Sequence, residues 1–226
     1  MSAVLLEGKP LAENIKSAIK QEVQALGFLP VLASVIAGEN AGAESYAKSQ
    51  KKSAENLGVE YQFHKLDAAV TEAGLIEYIE GLNADKKVNG IIIQMPLPAH
   101  IDYKKISSYI SPLKDVEGMH PENIGKILFG KAKIIPCTPA GVMELLNSTG
   151  VDLYGKEVVI VGHSEIVGKP LALLLLEKFA TVTVCHIGTS KAGKLEEHVK
   201  RAEILIVAVG KPGLIKGQWG KDGAIV

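Results

Sequence analysis

Val158-Val159-Ile160-Val161-Gly162-His163-Ser164-Glu165-Ile166-Val167-Gly168-Lys169-Pro170 decides the fold. Four β-branched residues run into a glycine turn, and the apolar stretch Leu171–Leu176 follows at helical length. A strand, a glycine turn and a helix start form a phosphate site, because backbone N–H groups and the helix dipole can face an anion. Gly162 permits a tight turn and Gly168 a close backbone approach. The pattern departs from the usual dinucleotide fingerprint: Ser164 takes the second glycine position, and Gly168 comes one residue late. Alone, the stretch is equally consistent with a glycine turn in any α/β protein. A serine nucleophile elbow needs glycine two residues after the serine, and here that residue is Ile166, so that class of hydrolase is excluded.

Outward from this loop, strands and helices alternate. Before it lies a predicted helix at Ala140–Leu146. After it come helix Gly168–Phe179, strand Thr181–His186, helix Leu195–Arg201 and strand Ile204–Val209. The first half repeats the rhythm: helix Leu11–Leu26, with apolar residues at Leu11, Ile15, Ile19 and Val23, then strand Leu29–Ile36 and helix Ser45–Leu57. Strand Val59–Leu66, helix Glu72–Leu82 and the buried apolar strand Gly90–Gln94 follow, the last stopping before Pro96 and Pro98. Alternation of this kind predicts an α/β fold with a largely parallel sheet. A domain boundary is expected near Cys137, giving domains 1–137 and 138–226. Gly223–Val226 reads as a loop entering a strand, so the second domain is expected to be truncated at its C-terminus.

Bulk properties narrow the classes. Twenty-five basic residues balance twenty-five acidic ones in 226, so no global field favours nucleic acid or an anionic membrane. Any anionic ligand must be held locally. No apolar run is long enough to span a bilayer, and the N-terminus lacks a secretory pattern. Cys137 and Cys185 form no metal-spaced pair and the six histidines no metal-binding spacing, so no metal is expected. A cytoplasmic location is expected.

Six segments, taken together, resemble the bifunctional methylenetetrahydrofolate dehydrogenase/methenyltetrahydrofolate cyclohydrolase family: Ser45-Tyr46 through Lys52 with Gly58, Gly90–Pro98 (GIIIQMPLP), Lys114–Gly118 (KDVEG), Pro136–Pro139 (PCTP), Val161–Pro170 (VGHSEIVGKP) and Ile206–Pro212 (IVAVGKP). They occur in the family's order along nearly the whole chain. The resemblance implies an N-terminal α/β catalytic domain and a Rossmann-like dinucleotide-binding domain with a cleft between them, a tetrahydrofolate substrate, NAD or NADP as cofactor, and a homodimer.

The resemblance also assigns roles. The family motif is a tyrosine followed four residues later by a lysine and then, two further on, by another. Here Tyr46 is present and Lys52 matches the second lysine, but the first is replaced by Gln50. Residues four apart share a helix face. Lys48 and Lys51 lie about 160° and about 140° from Tyr46 around the helix, so neither shares that face. An ammonium can stabilise negative charge and, when desolvated and neutral, accept a proton. A carboxamide can only hydrogen-bond. Hydrolysis of a methenyl bridge needs proton transfers, whereas hydride transfer needs chiefly alignment. The expectation is therefore a dehydrogenase with weak or absent cyclohydrolase. Two alternatives stay open: a bifunctional enzyme in which another group replaces the lysine, and a catalytically silent folate- or nucleotide-binding protein.

Gln94 resembles the glutamine that supports the catalytic position, and Pro96 stiffens the loop against folate. Asp115 and Glu117 resemble an acidic segment whose second acid binds the pterin; that acid is normally aspartate. Both also read as turn residues before Gly118. The cofactor set is Gly162, His163, Ser164, Ile166, Val167, Gly168, Pro170, His186 and Gly210. NADP preference in the family often goes with arginine after the first loop glycine; His163 stands there, which tilts the expectation toward NAD. A protonated His163 can still pair with a phosphate.

Overall fold

The computed structural model describes residues 4–226. Strand β1 (Val31–Ala37) is buried along nearly its whole length, and β3 (Gly90–Ile93) throughout. β2 (Glu60–Leu66) is instead half-buried or exposed everywhere but Tyr61. A strand that is apolar on both faces needs cover on both, so β1 lies in the middle of a parallel sheet ordered β2-β1-β3. Ala33 and Val35 point to one face, where Leu75 and Ile79 of α3 (Glu72–Ala84) and Ile106 of α4 (Tyr103–Ser107) close the core. Ser34, one step out of phase, belongs to the opposite face.

Helix α2 (Ala41–Leu57) packs there through Ala43, Ala47 and Ala54. Its small residues at spacings of four and seven let the helix axis come close to the strands. The side chain of Asn40 accepts from the Ala43 amide at 2.9 Å and starts the helix four residues before Ser45, where the apolar pattern alone places it. Helix α1 (Gly8–Ala25) carries the expected apolar stripe, yet none of its residues is buried.

The second sheet repeats the plan. β4 (Glu157–Val161), β5 (Thr181–Cys185) and β6 (Ile204–Val207) are parallel in the order β5-β4-β6. Val158 and Ile160 pack on Met143 and Leu146 of α6 (Cys137–Ser148) and on Leu171 and Leu175 of α7 (Gly168–Glu177). Val159 and Val161 pack on the other face against Leu195 and Val199 of α9 (Leu195–Arg201). Leu171 and Leu175 are fully buried, each worth about 1.5–3 kcal/mol relative to exposure, and so they anchor the helix that follows the glycine loop. Two further short helices, α5 (Pro121–Leu128) and α8 (Ile187–Lys191), are absent from the sequence reading, as is α4.

Two compact units result, Met1–Asn123 and Ile124–Val226. The division falls ahead of Cys137, within α5, because the Asn123 side chain is tied back to Pro112 and Asp115 of the first unit. Among the described residues no helix is long and apolar enough to cross a membrane.

Candidate active site

In the first unit, four side chains, from α2, β1, β2 and the residue after β3, meet beneath α2. Gln50 continues the buried Ala43–Ala47–Ala54 face of the helix, so its carboxamide points to the sheet. Its Oε1 accepts from Gln94 Nε2 at 2.7 Å and from the Tyr61 hydroxyl at 3.0 Å. Gln94, directly after β3 and only 3% exposed, also donates to Ser34 Oγ at 2.9 Å. Its backbone N–H is fixed on Val35 O at 2.8 Å. Tyr46 stands one turn before Gln50 and is 62% exposed, a rim residue rather than part of this buried floor.

No lysine enters the cluster among the described residues. Lys51 pairs with Glu55 at 3.8 Å along the helix surface, and Lys48 and Lys52 are exposed. Residue 50 is thus the α2 side chain that reaches the cluster, and it brings a carboxamide. Sequence reasoning missed Ser34 and Tyr61. Their only local signal is a polar group within a strand, and their hydrogen-bond partners lie 60 and 11 residues away along the chain.

The acidic segment lies alongside β3. The Ile91 amide donates to Lys114 O at 2.8 Å, and Asp115 bridges to Ile91 as one further parallel residue. Asp115 is 2% exposed, and its carboxylate accepts from the amides of Met119 and His120 and from Asn123 Nδ2. Those bonds occupy both oxygens, so Asp115 holds the loop together. Glu117 is the acid left with capacity. Burial pushes its carboxyl up to about 7; the nearby Asp115 charge adds to the rise, and a hydrogen bond from the Ile93 backbone opposes it. Burial, and then the charges of Glu117 and Asp115, raise the neighbouring Tyr103 phenol well above its ordinary value. Pro96, after a cis bond from Met95, is exposed beside this end of β3.

In the second unit the glycine loop leaves β4, the central strand, at its carboxyl end. Neighbours diverge on either side there, the place where open α/β sheets bind ligands. Gly162 has φ 127°, and a Cβ on it would lie 2.5 Å from Ala208 O; one on Gly168 would lie 2.1 Å from Gly162 O. Both positions require glycine. α7 begins at Val167 without a side-chain cap. Its first turn offers fewer donors than the sequence suggests, because the Lys169 amide is spent on Ser164 O and Pro170 is buried and has no N–H. The amides of His163, Ser164 and Ile166 make no backbone hydrogen bond among the described residues, so the loop, with the dipole behind it, is the candidate anion cradle. Ser164 Oγ accepts from the Val167 amide at 3.1 Å and fixes the loop's shape.

His163 and His186 bring their rings to 5.2 Å. His186 is also the N-cap of α8, its Nδ1 accepting from the Gly188 amide at 3.1 Å. Gly210 follows β6 with nothing close to it. Cys185 is fully buried, and burial raises its thiol, which fits packing. Lys169 pairs with Glu165 at 3.3 Å.

A glycine-built anion cradle on a parallel sheet, joined in one chain to a second α/β unit with a buried amide cluster, defines a two-unit α/β protein of the dinucleotide-dependent class. The profile of the tetrahydrofolate dehydrogenase/cyclohydrolase catalytic domain matches residues 6–117, and that of the family's NAD(P)-binding domain matches residues 136–226. The bifunctional protein FolD of Bacillus pumilus is 47% identical over all of this chain and 80% of its own length; that of Acetivibrio thermocellus is 48% identical over 100% and 79%. The solved structure of the bifunctional enzyme FolD from Campylobacter jejuni superimposes with a TM-score of 0.92 at 39% identity, covering 97% of this chain and 78% of that one. A Trypanosoma brucei dehydrogenase-cyclohydrolase, solved with NADP cofactor and inhibitor, matches at TM-score 0.90 and 35% identity over 98% and 77%. The chain belongs to the tetrahydrofolate dehydrogenase/cyclohydrolase family.

Proposed function

We propose that the chain oxidises 5,10-methylenetetrahydrofolate to the methenyl level with NAD(P), with functional domains divided near residue 137, a short way beyond the break between the two compact units at Asn123. The observation that carries this reading is the 2.7 Å bond between Gln50 and Gln94, which joins two family motifs from α2 and β3 at one spot. Tyr46 and Gln94 flank the one-carbon centre, Glu117 accepts from the pterin's amino and ring N–H groups, and Pro96 borders the folate. Asp115 supports Glu117 rather than touching substrate. The cradle of Gly162 to Gly168 fits a pyrophosphate, because the space at both glycines is closed to any side chain. When bound, the nicotinamide supplies hydride acceptance. The chain's own part is to hold the methylene carbon in line and keep the pterin oriented.

The relatives favour the bifunctional reading on the hydrolytic half: the two FolD proteins are named bifunctional, the Campylobacter jejuni structure is named for both activities, and all three cover 97% or more of this chain. This outweighs the sequence expectation that cyclohydrolase is weak or absent. One specific observation favours the second reading, loss of hydrolysis: the Gln50 carboxamide occupies the lysine's place, and no lysine reaches its cluster among the described residues. Purified protein mixed with methenyltetrahydrofolate decides between them. Decay faster than in buffer supports two activities; decay at the buffer rate supports the dehydrogenase alone. NAD(P)H absorbance with methylenetetrahydrofolate tests the shared half, and its absence sinks both readings in favour of a silent binder.

NAD is favoured over NADP, since His163 replaces the arginine and Lys169 is engaged by Glu165. Side-by-side rates with the two cofactors test this. A cytoplasmic homodimer that binds neither nucleic acid nor membrane completes the proposal, in line with the balanced charge and with bacterial relatives.

A further inference from the structure

Tyr61 is the second residue of β2 and is 6% exposed. Its face of the strand looks to α2, because Lys65, four residues on and in the same phase, pairs with Glu44 of that helix at 2.9 Å. The phenol donates to Gln50 Oε1, and Gln94 donates to the same oxygen. Burial raises the phenol's pKa, and the polar groups of Ser34 and Gln94 beside it oppose the rise. With the Gln94–Ser34 bond the four side chains form one connected chain, Tyr61–Gln50–Gln94–Ser34. An amide whose carbonyl takes two donors from a buried floor must turn its NH2 away from that floor. Terminal amide torsions are otherwise broad and nearly two-fold, so nothing in the glutamine itself selects this sense.

We infer that Tyr61 is a positioning residue: with Gln94 it locks the Gln50 carboxamide so that residue 50 serves as a hydrogen-bond donor of fixed direction. The inference rests on the proposed placement of the one-carbon centre at Gln50. It gives the replaced position a definite remaining role. A lysine there would offer a donor and a titratable proton; a locked glutamine offers the donor alone, independent of pH. Without the phenol, one donor holds the oxygen and the amide is released to turn over.

The test uses the full chain labelled with nitrogen-15, with Gln50→Glu to assign the Gln50 side-chain NH2 pair. In the unaltered protein that pair should be shifted from free glutamine and slow to exchange. Tyr61→Phe, which keeps the ring, should move it toward free values and speed its exchange while the backbone spectrum stays in place. Ser34→Ala should move it the same way by less, and it stands in for Tyr61→Phe if that variant misfolds. In dehydrogenase assays Tyr61→Phe should lower kcat roughly three- to tenfold, the loss of one neutral hydrogen bond, with KM for folate little changed. The penalty should vanish in a Gln50→Ala background. An unmoved NH2 pair, or a penalty that persists without Gln50, overturns the inference. Absence of any dehydrogenase activity would defeat the proposed function instead, and the NH2 signals would still decide the role of Tyr61.

Discussion

The two units share one topology and build opposite kinds of site. Each is a three-stranded parallel sheet with its first strand in the middle, and each sends that strand into a helix. In the first unit Asn40 caps α2, which uses the donor that an anion would otherwise take. Function there falls to side chains on the helix's inner face. In the second unit α7 starts without a side-chain cap, two glycines bring backbone against backbone, and the loop amides are left for a ligand. What separates a side-chain site from a backbone site is thus the first few residues after the strand, not the sheet.

This contrast breaks most visibly at Gly168. A Cβ there meets Gly162 O at 2.1 Å, so Gly168→Ala must displace the loop. Cofactor-dependent oxidation should fall by roughly a hundredfold or more, the scale of a 1 Å misplacement. NADH fluorescence titration should show the binding loss, and the first unit should keep its fold by hydrogen exchange.

Glu117 sharpens the other side of the comparison. Its carboxyl is raised from 4.5 to about 7, chiefly by burial. The folded state therefore holds the proton more tightly than the unfolded one. The associated stability is fully present below about 4.5 and is lost as pH rises through about 7. Urea melts across that window should show this decline, and Glu117→Gln should flatten it. For binding the sign reverses, since the ionised carboxylate accepts from the pterin. KM for folate should rise as pH falls below about 7, and Glu117→Gln should raise KM on the order of tenfold, a lost charge-assisted bond.

The smallest effect is at the cap. Asn40→Ala should cost about 1 kcal/mol of stability, read as a lower urea midpoint, with KM for the nicotinamide cofactor unchanged.

Much of this was legible in the chain. The buried runs Gly90–Ile93 and Val158–Val161 announce interior parallel strands by composition alone, and the glycine loop announces its turn. α4 and α8, at five residues each, are too short for an apolar period to repeat. The start of α2 is hidden from an apolar pattern because its first turn, Ala41 to Glu44, lacks large apolar residues, although Asn40 carries a capping signal. The site was less legible. The Gln50–Gln94 contact spans 44 residues, and it could be anticipated only from the resemblance, not from spacing. Asp115 and Glu117 look alike in sequence. Only the fold shows that one is saturated by its own loop while the other keeps room for a ligand.

The account depends on residue 50 acting at the one-carbon centre from the inner face of α2. The most direct measurement compares enzyme-dependent decay of methenyltetrahydrofolate by the unaltered protein and by Gln50→Lys. Placing an amine at that spot should shift the hydrolytic rate by about a hundredfold, the lower range for a positioned acid–base group: upward where the carboxamide has cost the activity, downward where another group has taken it over. An unchanged rate in a folded Gln50→Lys protein that still reduces NAD(P) would contradict the assignment.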